Sequence, residues 1–407
     1  MLNRVLSRLI HRGRLTVVYS DGSHQSFGEP ERAEPDIVVR FTTRVAPWLI
    51  ALYPDRYLGE AYMNGQLLIE QGDLWGLLEL CGRNFTMVAT SSQQSWIRGA
   101  KAIMRRVQQF NPRRVSHRNV AHHYDLSPAL YRGFLDEDMQ YSCAYFRSPG
   151  VTLDEAQREK KLHIAAKLLL KPGQSVLDIG CGWGGLALTL ARTEGVRVLG
   201  ITLSSEQLEV ARRRAVEAGL QDRVTFELRD YREIEGTFDR IVSVGMFEHV
   251  GTPHYQVFFA QLSRLLKSDG VALLHSIGRM YGPDVTSSWI RKYIFPGGYI
   301  PALSEVIPAI EGAGLWLTDL EILRLHYAKT LRAWRERFIA GADRLDSSYD
   351  NRFKRMWEFY LAVSEMSFRH GGMMVFQAQL ARAVDVVPTT RDYMIGREMQ
   401  LTSAAAE

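Results

Sequence analysis

The residues best spaced for binding chemistry are glycines that follow an apolar run at 175–179. Gly180, Gly182 and Gly185 satisfy the pattern G-x-G-x-x-G. The apolar run predicts a buried strand, and the glycines predict a turn that opens a helix. In α/β proteins this arrangement makes a cradle for a nucleotide-sized ligand. The glycine pattern alone leaves two cofactor classes open.

The end of the next predicted strand bears on which cofactor the glycine loop takes. In a dinucleotide enzyme the second strand usually ends in Asp or Glu, which holds the ribose hydroxyls. Here the second strand ends at 201–204, and no acidic residue precedes Glu206. The sequence therefore disfavours a nicotinamide dinucleotide.

The glycine loop belongs to a region in which short apolar runs alternate with helical patterns. The apolar runs predict five strands, at 176–179, 196–201, 224–228, 238–244 and 271–277. Helical spacing predicts intervening helices at 206–218 and 257–266. Alternation of this kind builds a doubly wound parallel sheet, so the fold class is α/β. The residues after Tyr281 leave this rhythm, and 289–298 read as an aromatic-rich insertion that could cover the carboxyl edge of the sheet.

The first 95 residues predict a separate small α+β domain. Apolar runs at 15–19 and 37–41 predict strands, and Asp21-Gly22 predicts a hairpin turn after the first of them. Helical spacing runs through 46–80 and is broken around Pro54 and Gly59. The predicted organisation is an N-terminal domain at 1–95, a basic linker at 96–120, a second domain at 121–395 and a C-terminal tail at 396–407.

Two basic features precede the second domain. In the first helical segment, apolar and basic side chains lie on opposite faces: Leu2, Val5, Leu6, Leu9 and Ile10 against Arg4, Arg8 and Arg12. Such a helix either binds an anionic membrane surface or packs its apolar face on its own domain. The segment 98–118 contains seven Lys and Arg residues and no acidic residue, which favours phosphate groups or a solvated linker helix. No nucleic-acid-binding motif accompanies it.

The composition limits the class of protein. A chain of 407 residues with 46% hydrophobic residues and a net charge of +5 can bury a large core. Cys81, Cys143 and Cys181 form no C-x-x-C pair, which argues against a disulfide framework or a zinc site and suits the cytoplasm. Arg4 and Arg8 interrupt the apolar core that a signal peptide needs, and no membrane-spanning stretch is visible.

Further polar landmarks surround the glycine loop. Asp178 lies ahead of the first glycine, Asp230 and Tyr231 follow the third predicted strand, and 265–270 leads into the fifth. Together these landmarks resemble a class I methyltransferase that uses S-adenosylmethionine. The glycines let the backbone approach that cofactor, and Asp178 can order the loop and the cofactor's charged amino-acid end. Polar groups after strands two and three can reach its ribose and adenine.

Outside the cofactor region the resemblance becomes more specific. Matching segments lie at 124–127, 139–146, 176–184, 245–251, 274–278, 294–298 and 326–334. They resemble the cyclopropane-fatty-acyl-phospholipid synthases and the mycolic acid cyclopropane synthases. The N-terminal domain looks like that of the longer, phospholipid-acting members. The resemblance implies that 1–95 is a lipid-interacting domain and that 121–395 is a methyltransferase domain with an acyl-chain-binding insertion. The resemblance implies an enzyme that adds the methyl carbon of S-adenosylmethionine across a cis double bond of a phospholipid acyl chain, forming a cyclopropane fatty acid.

This chemistry needs a base beside an alkene. An alkene is a poor nucleophile, so the methyl donor must be held in line with it, and the cation formed must lose a proton before the ring closes. The resemblance implies a bound bicarbonate as the base. Its implied ligands are Cys143, Glu248, His275, the backbone of Ile277, and Tyr327. In this interpretation Glu248 orients the bicarbonate hydrogen while His275 and Tyr327 donate hydrogen bonds.

The resemblance also implies the residues that contact S-adenosylmethionine. They are Tyr141, Ser142, Asp178, Gly180, Cys181, Gly182, Trp183, Gly184, Thr202, Leu203, Gln207, Asp230 and Tyr231. His249 is a rival to Glu248 as a catalytic residue, and we rank it lower because a strand-end His beside a Glu is often structural. Ser364 occupies a position that is Cys in several relatives. Since alkene methylation needs no covalent enzyme intermediate, we expect Ser364 to act in packing.

Other functions remain open at this point. One keeps the fold, cofactor and lipid but gives a methylene or methyl-branched product. A second is a lipid-presenting protein with a degenerate methyltransferase domain, and a third is methylation of a soluble small molecule. We expect an unsaturated phospholipid substrate, no nucleic-acid partner, and a peripheral location on the anionic inner face of the membrane. The oligomeric state stays open, with a homodimer among the options.

Overall fold

A computed structural model describes residues 1–31, 36–88, 128–346 and 349–404. Its α-helices are α1 (Leu2–Leu9), α2 (Ala46–Leu52), α3 (Pro54–Met63), α4 (Leu74–Val88), α5 (Pro128–Arg132), α6 (Leu153–Leu168), α7 (Gly185–Glu194), α8 (Ser205–Glu217), α9 (Tyr255–Leu265), α10 (Ser288–Tyr293), α11 (Leu303–Gly312), α12 (His326–Gly341), α13 (Asn351–Arg369) and α14 (Asp392–Ala404). Its strands are β1 (Leu15–Val18), β2 (His24–Phe27), β3 (Ile37–Phe41), β4 (Leu67–Gln71), β5 (Ser175–Ile179), β6 (Arg197–Thr202), β7 (Val224–Leu228), β8 (Phe238–Val244), β9 (Leu266–Arg279), β10 (Trp316–Ile322) and β11 (Met373–Ala381).

These elements form two compact units. The first contains residues 1–102, 285–296 and 331–373, and the second contains 103–284, 297–330 and 374–407. The first unit therefore takes up two segments that lie far along the chain. Within this unit, Ser288 donates its backbone N–H to Asp55 at 2.7 Å, and the hydroxyl of Tyr62 donates to Glu358 at 2.8 Å. The predicted domains are continuous in sequence, whereas the compact units are not.

The first unit has a four-stranded sheet in the order β2-β1-β3-β4. β1 and β2 pair as an antiparallel hairpin around Asp21-Gly22, as the sequence predicts, and β1 pairs in parallel with β3. The helical pattern is broken before Pro54, where α3 begins, as expected. The break expected around Gly59 is wrong, because Gly59 is buried inside the continuous helix α3. β4 was not expected, because its residues lie inside the stretch predicted to be helical.

The N-terminal helix α1 packs on its own unit. Leu2 and Leu6 of this helix and Ile10 after it are buried in one core with Leu15, Val17 and other strand residues. Val5 is 42% exposed. Most of the apolar face therefore serves the core, which is the second of the two alternatives that the sequence left open.

The second unit has a seven-stranded sheet in the order β10-β11-β9-β8-β5-β6-β7. The five predicted strands correspond to β5 to β9, and all neighbouring pairs among them are parallel. Chain order reverses between β5 and β8, which is the switch point where open α/β sheets bind ligands at their carboxyl ends. Apolar side chains such as Val176, Val198 and Val242 pack together in a core with the helices.

The sheet is mixed rather than parallel throughout. β10 and β11, which the sequence analysis did not predict, pair antiparallel, with Trp316 opposite Ala381 and Ile322 opposite Phe376. The insertion expected at 289–298 contains the short helix α10.

The C-terminal boundary predicted at residue 395 falls inside α14. This helix carries Leu401 into the core of the second unit, and Glu398 lies 3.4 Å from His163 of α6. Residues 396–404 are therefore a docked helix end. Among the described residues, none of the helices is long and apolar enough to cross a membrane.

Candidate active site

A cavity of about 150 Å³ lies at the carboxyl ends of β5, β6 and β8. Twelve predicted cofactor residues line it: Tyr141, Ser142, Asp178, Gly180, Cys181, Gly182, Trp183, Thr202, Leu203, Gln207, Asp230 and Tyr231. Gly184, the remaining predicted residue, is the N-cap of α7. The structure thus gathers segments that are up to 90 residues apart in sequence, because the parallel strands bring their carboxyl ends to one edge.

The glycine loop between β5 and α7 depends on left-handed backbone. Gly180, Gly182 and Gly184 have φ values of +84°, +54° and +84°, which side-chain-bearing residues rarely adopt. Gly185 is needed for close approach, because a Cβ there would lie 2.3 Å from the Asp138 carboxylate. The loop therefore brings backbone to the cavity wall, where a bulky cofactor can contact it.

Asp178 is a buried carboxyl group in the cavity wall. Burial raises its pKa to about 7, although the nearby Lys160 acts in the opposite direction. Among the residues described by the structure, none is hydrogen-bonded to Oδ2 of Asp178. The ordering of the loop by Asp178 stays a prediction. A buried, unpartnered carboxylate oxygen suits a cationic ligand group.

Lys160 is a site residue that the sequence analysis missed. It lines the cavity from α6, and Nζ donates to Oε1 of Gln140 at 2.6 Å and to Oγ of Ser142 at 2.7 Å. Burial lowers its pKa to about 8, while Asp136 acts to raise it. This lysine therefore fixes two cavity side chains and carries positive charge near Asp178.

The far side of the cavity is built from hydrogen-bonded polar residues. The hydroxyl of Thr202 donates to Oε1 of Gln207 at 2.8 Å, and Ser204 caps α8 by accepting from the backbone N–H of Gln207. Asp230 forms a two-point ion pair with Arg232, in which Nε lies 2.8 Å from Oδ1. These contacts hold the polar groups in place after the second and third strands of the parallel region.

Glu248 and Ile277 are in direct contact. The backbone N–H of Ile277 donates to Oε1 of Glu248 at 2.6 Å. Oε2 of Glu248 is buried and has no hydrogen-bond partner among the described residues. Burial raises the pKa of this carboxyl to about 7, against the effect of the Ile277 hydrogen bond. The amide implied as a bicarbonate ligand is thus bonded to the glutamate in this structure.

His275 lies in β9, two residues before Ile277, and is buried. Its Nδ1 is 3.1 Å from the amide nitrogen of Gln377 in β11. Burial, together with the positive charges of Lys160 and Lys167, lowers its pKa well below 6.5. The imidazole is therefore neutral at ordinary pH and has one N–H to donate.

The segments that carry Cys143 and Tyr327 are hydrogen-bonded to each other. Next to Cys143, the backbone N–H of Ala144 donates to the hydroxyl of Thr330 at 3.0 Å, and two residues later Phe146 donates to Nδ1 of His326 at 2.9 Å. Both acceptors lie in the first turns of α12, which also carries Tyr327. Cys143 and Tyr327 are buried, and burial raises the pKa of the Cys143 thiol far above its usual value.

His249, the rival catalytic residue, has a different environment from Glu248. It lines the cofactor cavity, which Glu248 does not. Burial lowers the pKa of His249 to about 4, so this imidazole is neutral. Its position favours a role in the cavity wall. Ser364 is half-buried in α13, and the segments 98–118 and 124–127 lie outside the described residues.

The strand order and the glycine-lined cavity at the switch point define an α/β S-adenosylmethionine-dependent methyltransferase with an additional N-terminal domain. The model of the mycolic acid cyclopropane synthetase family matches residues 111–378. The chain belongs to that family, which confirms the predicted recognition and fold class. A second family model, described as a domain of unknown function, matches residues 1–93.

Two relatives extend the comparison. The chain is 43% identical over 263 residues to a cyclopropane-fatty-acyl-phospholipid synthase of Escherichia coli, covering 65% of this chain and 67% of the relative. It is 37% identical over 404 residues to the tuberculostearic acid methyltransferase UfaA1 of Mycobacterium tuberculosis, covering 93% and 90%. The relatives thus include both cyclopropane synthases and fatty acid methyltransferases.

A solved structure supports the cofactor assignment. The mycolic acid cyclopropane synthase CmaA1, complexed with SAH and CTAB, superposes with a TM-score of 0.61 and 33% identity. The match covers 67% of this chain and 99% of that chain. SAH is the demethylated product of S-adenosylmethionine, so this neighbour binds the product form of the cofactor that the cavity is expected to hold.

Proposed function

We propose that this protein transfers the methyl carbon of S-adenosylmethionine to a cis double bond of a phospholipid acyl chain, with bicarbonate as the general base, and forms a cyclopropane fatty acid. The observation that carries the proposal is the pairing of Glu248 with the Ile277 amide, adjacent in sequence to a cofactor-cavity residue, His249. A methyl-donor cavity and a buried polar pair thereby share the same sheet edge.

The cavity fits S-adenosylmethionine, because Oδ2 of Asp178 is a buried acceptor without a described partner. Asp178 would hold the ammonium group, and the Lys160 and Ser142 pair the carboxylate. Thr202, Gln207 and Asp230 would face the nucleoside. The bound cofactor supplies an electrophilic methyl group on a sulfonium. The protein's own part is to hold that group in place and to exclude water, so that a weak alkene nucleophile is the group that reacts.

The second set of residues suits a small, hydrogen-bonding base. The free Oε2 of buried Glu248 can accept the hydrogen of bicarbonate, and neutral His275 can donate to one of its oxygens. Buried Tyr327 can supply a further donor, and the thiol of Cys143 stays protonated in its apolar site. Removal of a proton from the donated carbon then lets the ring close.

A second product is supported by a specific observation. The relative matched along most of this chain is a tuberculostearic acid methyltransferase, whose name describes a fatty acid methyltransferase rather than a cyclopropane synthase. A methylene or methyl-branched chain is therefore the alternative product. The methylene product would arise from the same methyl transfer if the cation lost its proton to give an alkene in place of ring closure. A saturated methyl-branched chain would need a further reduction of that alkene by a separate hydride donor.

The phospholipid substrate implies docking at an anionic membrane surface. In the first unit, Trp48 and Leu52 of α2 and the adjacent Tyr53 are 58%, 52% and 65% exposed, and Arg44 is exposed close by in sequence. Exposed aromatic side chains beside a basic residue suit a lipid interface. We propose a peripheral location on the inner face of the membrane. A homodimer stays a prediction, which sedimentation equilibrium would test.

The proposal is tested with purified protein, S-adenosylmethionine, bicarbonate and vesicles of an unsaturated anionic phospholipid. Fragmentation mass spectrometry of the acyl chains distinguishes a cyclopropane from a methylene isomer of equal mass. A cyclopropane whose yield depends on added bicarbonate supports the proposal. An unchanged acyl chain, with methylation of a soluble compound instead, would refute it.

A further inference from the structure

A chain of polar side chains ends on His275. The amide nitrogen of Gln377, in β11, lies 3.1 Å from Nδ1 of His275, in β9. Nζ of Lys167, in α6, lies 2.7 Å from the amide oxygen of Gln377. The same Nζ is hydrogen-bonded to the carboxylate of Glu321 in β10. This chain of hydrogen-bonded side chains thus joins the partly exposed carboxylate of Glu321 to His275, an implied catalytic residue.

The three inner members of this chain are shielded from water. The exposed fractions are 2% for His275, 0% for Gln377 and 2% for Lys167. A buried donor that faces another donor costs about 1–3 kcal/mol, because no water can take the place of the missing acceptor. Each hydrogen bond between these side chains must therefore pair one donor with one acceptor.

The charge at the outer end fixes that direction. Burial acts to raise the pKa of Glu321, but hydrogen bonds and charge from His163 and Lys167 outweigh it and lower the pKa to about 2. Ionised Glu321 only accepts hydrogen bonds, so Lys167 donates to it as an ammonium. An ammonium has no acceptor, so it also donates to Gln377.

The orientation of the Gln377 amide then decides which atom donates to the other at His275. Because the Gln377 oxygen accepts from Lys167, the amide is oriented with its NH₂ group toward His275. An NH₂ group only donates, so Nδ1 of His275 accepts. A neutral imidazole with an accepting Nδ1 carries its proton on Nε2.

We propose that Gln377 and Lys167 are positioning residues that hold His275 as the tautomer with its proton on Nε2. The imidazole then presents an N–H donor on the side opposite Gln377. With the other tautomer, that side would present a lone pair and repel an anion. The use of this donor toward bicarbonate rests on the proposed function, whereas the tautomer itself does not.

The tautomer is read directly by nitrogen NMR of the whole protein labelled with ¹⁵N-histidine, with His275→Gln used to assign the ring signals. The expected wild-type spectrum shows an unprotonated Nδ1 and a protonated Nε2 at neutral pH. A protonated Nδ1, as the other tautomer or as imidazolium, would overturn the proposal. This measurement requires neither substrate nor turnover.

Gln377→Glu is the sharpest variant, because it is nearly isosteric and keeps an acceptor for Lys167. A carboxylate has no donor, so the proton should move to Nδ1 of His275. Gln221→Glu, at an exposed turn position, is the matched control and should leave the spectrum unchanged. If Gln377→Glu folds and Nδ1 stays unprotonated, the proposal fails. If it does not fold, Lys167→Met should give a mixture of tautomers and Lys167→Arg the wild-type form.

The kinetic readout separates this proposal from the proposed function. Gln377→Glu should raise the KM for bicarbonate about tenfold or more and leave the Kd for S-adenosylmethionine unchanged. Lys167→Met should weaken bicarbonate binding, and Lys167→Arg should retain most of the affinity, because only Arg keeps a charged donor for Gln377. If the wild-type tautomer is as expected but turnover ignores bicarbonate, the proposed base is wrong and the assignment of the tautomer stands.

Discussion

Glu248 accepts the backbone N–H of Ile277 through Oε1, while its Oε2 is buried without a partner among the described residues. One oxygen is thus fixed by the sheet edge, and the other can interact with a ligand. A carboxyl group held in this way can orient a small bound base. It does not need to react covalently.

Glu248→Gln tests that role. The amide oxygen can still accept from Ile277, but the NH₂ group presents a donor to the bicarbonate hydrogen. We expect turnover to fall at least about 100-fold and the affinity for S-adenosylmethionine to remain within about twofold by calorimetry. His249→Gln is the matched comparison, and its main effect should be on cofactor affinity. Wild-type activity in Glu248→Gln would refute the bicarbonate assignment.

The raised pKa of Glu248 predicts that the stability difference between the wild type and Glu248→Gln depends on pH. In the folded protein this pKa is about 7, against 4.5 for an ordinary Glu. The protonated carboxyl makes its whole contribution to the free energy of unfolding below pH 4.5, and this contribution is lost as the pH rises through 7. The free energy of unfolding of Glu248→Gln should therefore equal that of the wild type near pH 4.5. Near pH 8 it should be higher than that of the wild type by up to about 3 kcal/mol.

Calorimetric melting of both proteins at the two pH values measures this difference. Glu336→Gln, at an exposed position in α12, is the matched control for the same substitution at the surface. A Glu248→Gln difference that is the same at both pH values would mean that folding does not raise the pKa of this carboxyl.

Asp178→Asn should weaken the cofactor site. The variant keeps the size of the side chain but removes the charge that would face the ammonium group of S-adenosylmethionine. We expect the Kd to rise about tenfold or more, as for loss of a charged hydrogen bond. Titration calorimetry measures it, with Glu248→Gln as a reference at which the Kd stays the same. An unchanged Kd would remove Asp178 from the binding site.

Ser364→Ala should retain turnover within about twofold, because Ser364 lies half-buried in α13 and the proposed chemistry forms no bond to the enzyme. Initial rates on phospholipid vesicles provide the measurement. Complete loss of activity, in a variant with an unchanged melting temperature, would show that this position takes part in the reaction.

Much of the second unit could be predicted because its strands carry a local signal. Buried parallel strands such as β5 and β8 read as short apolar runs, and the glycine loop follows the first of them. β10 and β11 carry buried polar residues, including Asp319 and Gln377, which broke the apolar pattern. These two strands could be recognised only from their pairing with each other.

The missed site residues share one property. Lys160 and Lys167 are buried in α6, although the many charged residues of this helix predict a solvent-exposed surface. Their partners, Ser142 and Gln377, lie 18 and 210 residues away along the chain. A buried lysine is stable only because such distant partners accept its hydrogen bonds. Nothing in the local sequence indicates that those partners exist.

We propose that this protein adds the methyl carbon of S-adenosylmethionine to an unsaturated acyl chain. The most direct test is to express it in a host that lacks the activity, with methyl-deuterated methionine, and to analyse the phospholipids by mass spectrometry. We predict cyclopropane acyl chains that keep two of the three deuterons, because one leaves as the abstracted proton. Unsaturated chains without deuterium, from cells that contain the folded protein, would contradict the claim.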